Sequence, residues 1–121
     1  MKELTKTFTV ESHQTALSVG SGTLEVLATP SAIAMAENTC MILCENYHGE
    51  EETTVGSFID FKHLKPSVVA SKIEVKAIVI DVSGRKISLS FELFENGKLI
   101  GKGNHNRAIV NEREFLSHIK Q

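Results

Sequence analysis

The chain has 121 residues, 41% hydrophobic and 23% charged, a balance that fits one globular domain with a buried core and excludes a disordered chain. The net charge is −2 and the basic residues are scattered singly, so there is no basic stripe for nucleic acid. No apolar run reaches the ~20 residues of a bilayer span, and the opening MKELTKTFTVESHQ lacks a signal peptide's apolar core, so a cytoplasmic domain over 1–121 is expected, with no membrane partner.

In chain order, residues 5–10 predict a short first strand, and SVGSGT at 18–23 a turn-rich loop. Thr29 reads as the N-cap of a long helix and Pro30 as its first helical position. Apolar residues at 33, 36, 40, 41, 43 and 44 recur at helical period, with Glu37 planted among them. Gly49 is the expected left-handed residue that ends the helix, and GEEE at 49–52 is a charged loop. Cys40 and Cys44 share a helix face, but with no matching His cluster they read as packing rather than metal ligands, as do Met35 and Met41.

Beyond the helix the period changes to two. TTVGSFIDFKHL alternates Val55, Ser57, Ile59 and Phe61. SKIEVKAIVIDV alternates Ile73, Val75, Ala77 and Val79, RKISLSFELFE alternates Ile87, Leu89, Phe91 and Leu93, and KLIGKGNHNRAIV makes a last strand. Ser83-Gly84 and Asn96-Gly97 are two-residue hairpin signals, so the last three strands form an antiparallel meander with the preceding strand alongside. Asn111 and Glu114 have the spacing of a capping box and open a short closing helix.

This order predicts an α+β chain in which an antiparallel sheet wraps one long central helix, the hotdog fold. A different α+β sheet carrying one helix is the alternative.

The segments LATPSAIAMAEN, TTVGSFIDFKHLKP, GRKISLSFELFENGKLIGKGNHNRAIV and EREFL resemble, in that order, the fluoroacetyl-CoA thioesterase-like family of hotdog acyl-CoA thioesterases. The likeness covers roughly residues 23–116. It implies a catalytic set of Thr29, Glu37 and His63, with Gly56 and Arg107 binding substrate and His105 beside Arg107. Two stretches depart from the family pattern. HQTALSVGSGTLEV has no aromatic residue where the fluoroacetyl-specific member has an aromatic lid, so fluoroacetate discrimination is not implied. In GNHNR, Asn104 and Asn106 replace a threonine and a glutamate.

A thioester is already reactive at its carbonyl, so hydrolysis needs an activated water or a carboxylate nucleophile, plus donors for the oxyanion. Glu37 suits the first role as base or nucleophile, and a donor such as His63 or Thr29 is expected close to its carboxylate. His63 then bonds the carboxylate or acts on the thiolate leaving group, and Arg107 pairs with Glu37 or with a coenzyme A phosphate. A straight helix separates Thr29 from Glu37 by about 12 Å, so both meet one carbonyl only if the chain folds back or two protomers share the site. A homodimer with a shared site is therefore expected.

Each residue also has a plainer reading: Thr29 as a cap, His63 as an ordinary strand histidine, and His105 and Arg107 as exposed strand residues. His13, His48 and His118 read as solvated. The expected function is hydrolysis of a small or medium acyl-CoA to the free acid and CoA, without metal or redox cofactor, coenzyme A entering as part of the substrate. A non-catalytic module binding acyl-CoA is the alternative. A hotdog dehydratase fits the Thr29, Glu37 and His63 set poorly.

Overall fold

The computed structural model describes residues 1–120. Strand β1 is Glu3–Thr9, helix α1 is Ala16–Val19 and helix α2 is Thr29–Cys44. Strands β2, β3, β4 and β5 are Glu52–His63, Lys72–Ser83, Lys86–Glu95 and Lys98–Asn111, and helix α3, Glu112–Ile119, closes the chain. The strands form one antiparallel sheet in the order β1-β3-β4-β5-β2, packed on α2. The expected α+β layout is therefore the one adopted. The meander is β3-β4-β5, and β2 lies beside its last strand, which leaves β2 and β1 as the two edges. Among the described residues no helix is long and apolar enough to cross a membrane.

In β3 and β4 the period-two sets bury as expected: Ile73, Val75, Ala77 and Val79 on one strand, Ile87, Leu89, Phe91 and Leu93 on the other. Asn96 and Gly97 both take positive φ, as a type I′ turn requires. The first hairpin turns one residue later than expected, because Ser83 pairs with Lys86 and leaves Gly84-Arg85 as the loop.

Helix α2 buries Ala32, Met35, Ala36, Thr39, Cys40, Leu43 and Cys44. This stripe is rotated from the expected one: Ile33, Glu37 and Met41, spaced by four, form a half-buried flank beside it. Thr39 fits inside by donating its hydroxyl to the Met35 carbonyl at 2.9 Å. The helix ends earlier than Gly49 suggested. The chain tightens into a 3-10 turn at Glu45–Tyr47, and the Asn46 amide donates to the Leu43 carbonyl at 2.9 Å. Left-handed glycines occur instead at Gly20, Gly84 and Gly97. Asn111 caps α3 as expected, accepting the Glu114 amide at 3.0 Å.

Strand β2 breaks the simple alternation. Its pairing with β5 shifts register between Gly56 and Phe58, a β-bulge that places one extra residue on β2. The sheet face toward α2 therefore carries Thr54 and Gly56 before the bulge and Ile59, Phe61 and His63 after it, not Val55 and Ser57. Gly103 on β5 allows this strand to approach closely, since a Cβ there would lie 2.0 Å from the Asp60 carbonyl oxygen.

Candidate active site

Two side-chain groups lie along the edge strand β2. The first is at the start of α2. Ala28, not Thr29, occupies the N-cap position, and no side chain caps the helix. Thr29 is thus already helical, and its hydroxyl is free to lie 2.8 Å from Nδ1 of His63, the last residue of β2. The other ring nitrogen, Nε2, is buried without a partner. Burial also holds the His63 pKa below its usual value, which favours the neutral ring that can take a hydroxyl proton. A cavity of about 360 Å³ opens beside this pair, lined by Ala16, Val26, Leu27, Pro30, Leu64 and Pro66 among others. The loop expected at 18–23 contributes to its wall. Part of it is α1, capped by Thr15 through the Ser18 amide at 3.2 Å and closed by left-handed Gly20.

The second group surrounds Glu37, two turns further along α2. Its carboxylate is not buried among Ala, Cys and Met as expected: the side chain is 43% exposed in the single protomer. Neither Thr29 nor His63 bonds it. Its Oε2 lies 3.8 Å from His105 Nε2 and 4.0 Å from Arg107 Nη1. Both neighbours are on the α2 side of β5 and buried, not exposed as the plainer reading had them.

A buried guanidinium is tolerable only when its N–H groups are satisfied. Arg107 Nε donates to Thr54 Oγ1 at 2.8 Å, Nη2 to the Thr54 carbonyl at 2.9 Å, and Nη1 to His105 Nε2 at 3.1 Å. Gly56 completes the group. A Cβ there would sit 3.1 Å from Glu37 Oε2 and 3.2 Å from His105 Cε1, so the missing side chain leaves the carboxylate its space. With Arg107 only 7% exposed and held from three sides, its geometry favours the Glu37 partnership over a phosphate in solvent.

Glu37, Gly56 and Arg107 are thus together, and so are Thr29 and His63, but the two groups are apart. They are separated by eight residues of helix, about 12 Å, and by seven residues of strand, about 23 Å. Thr54 was not singled out from the sequence. It reads as one of many strand threonines, and only its burial opposite Ile109 beside Arg107 marks it. Further along α2, burial pushes the Cys40 thiol up to about 12 and Cys44 up to about 11, so neither is a nucleophile at neutral pH.

The family model for fluoroacetyl-CoA-specific thioesterase matches residues 10–113. A fluoroacetyl-CoA thioesterase from Streptantibioticus cattleyicolor is 26% identical over 97 residues, 80% of this chain and 70% of that enzyme. A crystal structure of a mutant of the fluoroacetyl-CoA-specific thioesterase with fluoroacetate and CoA superposes with a TM-score of 0.92 at 24% identity. It covers 98% of this chain and 97% of that one. A thioesterase superfamily member from Thermus thermophilus superposes at 0.89 with 19% identity, covering 98% and 88%. The fold is the hotdog fold.

Proposed function

We propose, from the premise that the chain belongs to the fluoroacetyl-CoA-specific thioesterase family, that it hydrolyses a small or medium acyl-CoA to the free acid and CoA. The unit is one domain over 1–121. The observation that carries this reading is the half-exposed Glu37 carboxylate facing Arg107 across the gap that Gly56 leaves open. As a base, Glu37 takes a proton from water, whose oxygen adds to the thioester carbonyl. As a nucleophile, it adds directly and forms an anhydride that water then opens. In both cases the tetrahedral intermediate collapses by expelling CoA thiolate, which leaves readily near neutral pH. Thr29 and the positive end of α2 supply donors for the oxyanion.

The reading requires the two groups to meet, and a two-fold pairing of β2 edges does this. An antiparallel β2–β2 pair centred on Asp60, with the extra residue of the bulge left unpaired, sets Gly56 of one copy opposite His63 of the other. Directly opposed residues point to the same face of the sheet. Gly56 and His63 both lie on the α2 side, so Glu37 of one copy would face the Thr29–His63 pair of the second. A homodimer with two shared sites follows, in a cytoplasmic protein.

The 2.8 Å contact between Thr29 and His63 supports a second route, in which the threonine hydroxyl attacks and His63 takes its proton. Incubation with acetyl-, fluoroacetyl-, butyryl-, hexanoyl- and phenylacetyl-CoA, following free thiol, tests the activity. Rapid quenching and peptide mass mapping then locate any acyl group on Thr29 or Glu37, or on neither when water attacks. The aromatic-free segment 13–26 predicts no preference for fluoroacetyl over acetyl. Equal, negligible rates with wild type and Glu37→Ala across the panel would leave only the acyl-CoA-binding module.

A further inference from the structure

His105 is 1% exposed, and its two ring nitrogens have different partners. Nδ1 lies 2.7 Å from the Phe58 carbonyl oxygen, which can only accept, so Nδ1 carries the proton. Nε2 lies 3.1 Å from Arg107 Nη1, which can only donate, so Nε2 is the bare lone pair. These partners together allow one state of the ring: neutral, protonated on Nδ1. Burial, the largest influence on the ring, also holds its pKa below the usual value.

The two partners matter because of where they sit. Phe58 follows the β2 bulge, where the ladder with β5 is out of register, so the histidine satisfies a carbonyl at the irregular point. Gly56, whose missing side chain leaves Glu37 its space, lies immediately before that bulge. Arg107 is the cation 4.0 Å from the same carboxylate. One imidazole therefore joins the backbone that makes space for Glu37 to the guanidinium that faces it.

We propose that His105 is a positioning residue for thioester hydrolysis: its fixed Nδ1–H tautomer locks Arg107 and the Gly56 bulge in the arrangement that presents Glu37 to substrate. The role rests on the thioesterase reading above. His105 itself touches no reacting atom. Its replacement acts through Arg107, and a displacement of about 1 Å in such a group costs on the order of 100-fold in rate.

A double-mutant cycle tests it, using the acyl-CoA of the panel that wild type turns over fastest. His105→Asn keeps a donor near the Phe58 carbonyl but does not reach Arg107. It is expected to lower kcat about 100-fold with KM within about twofold. Arg107→Lys lowers kcat at least as much, and the double variant is no worse than Arg107→Lys alone, because the histidine works through the arginine. Multiplying losses in the double variant, or a wild-type kcat in His105→Asn, would overturn the role. Nitrogen-15 NMR of the wild-type imidazoles gives a readout free of activity and of mutant folding. The expected pattern at neutral pH is a protonated Nδ1 and a bare Nε2 for His105, and the opposite tautomer or an imidazolium overturns the lock. Wild type without turnover would instead sink the thioesterase reading, and this role with it. Normal turnover with a failed cycle sinks this role alone.

Discussion

At the scale of single residues, Glu37 and Gly56 make the sharpest tests. Glu37→Gln keeps shape and removes the charge of a half-exposed side chain that forms no hydrogen bond, so the fold should tolerate it. Loss of a base or nucleophile should lower kcat by roughly 1,000-fold, with an unchanged thermal melt followed by circular dichroism. Gly56→Ala puts a methyl 3.1 Å from Glu37 Oε2 and 3.2 Å from the buried ring of His105. The carboxylate is the movable neighbour, so it gives way, and kcat/KM should fall about 100-fold while the melt moves little. The family resemblance named the candidate residues, but who touches whom was not legible from it. His63 was expected to serve Glu37 and is found with Thr29 instead. His105 and Arg107, as plausible on a wet face as on a dry one, lie buried beside the carboxylate.

At the scale of elements, local chemistry was the reliable guide. The Asn96-Gly97 turn, the alternation of β3 and β4, and the Asn111 cap are each set by residues within a few positions of one another. Asn111→Ala removes the acceptor for the Glu114 amide and should cost about 1 kcal/mol, read by denaturant midpoint, with kcat unchanged because no side-chain hydrogen bond or ion pair among the described residues joins α3 to either group. Elements failed to follow their sequence pattern where a partner intervened. Thr29 was expected to cap α2, yet the cap position is Ala28, because the hydroxyl finds His63. In β2 the alternating pattern runs straight through Ser57, but pairing with β5 inserts a bulge there and exchanges which residues face the helix.

At the scale of the whole molecule, two behaviours follow. His63 and His105 are both held below the usual value of 6.5, mainly by burial, so the unfolded chain binds more protons than the folded one on acidification. Their contribution to stability is complete above about 6.5 and is lost as pH falls from there through their lowered folded values. A melting temperature that declines between pH 7 and pH 5 is expected, and a double variant with His63→Gln and His105→Gln should flatten that decline. The proposed shared site makes a second prediction. Glu37→Gln and His63→Ala variants, each inactive, should recover about a quarter of wild-type activity when mixed and reassociated. Half the dimers are then mixed, and each carries one intact site of two. No recovery, in variants that do exchange subunits, would place each site within one copy. Taken by itself, the sequence determined the order of the strands and of the two longer helices, the presence of both hairpins, the core of the meander and the family. These rest on periodicity and turn chemistry, which act between near neighbours. Only the tertiary structure decided that Glu37 stands at the flank of the core stripe, that Arg107 and His105 are buried beside it, and that Thr29 meets His63. Those outcomes depend on one strand's register against a distant strand and on every buried donor finding an acceptor, which no local pattern records.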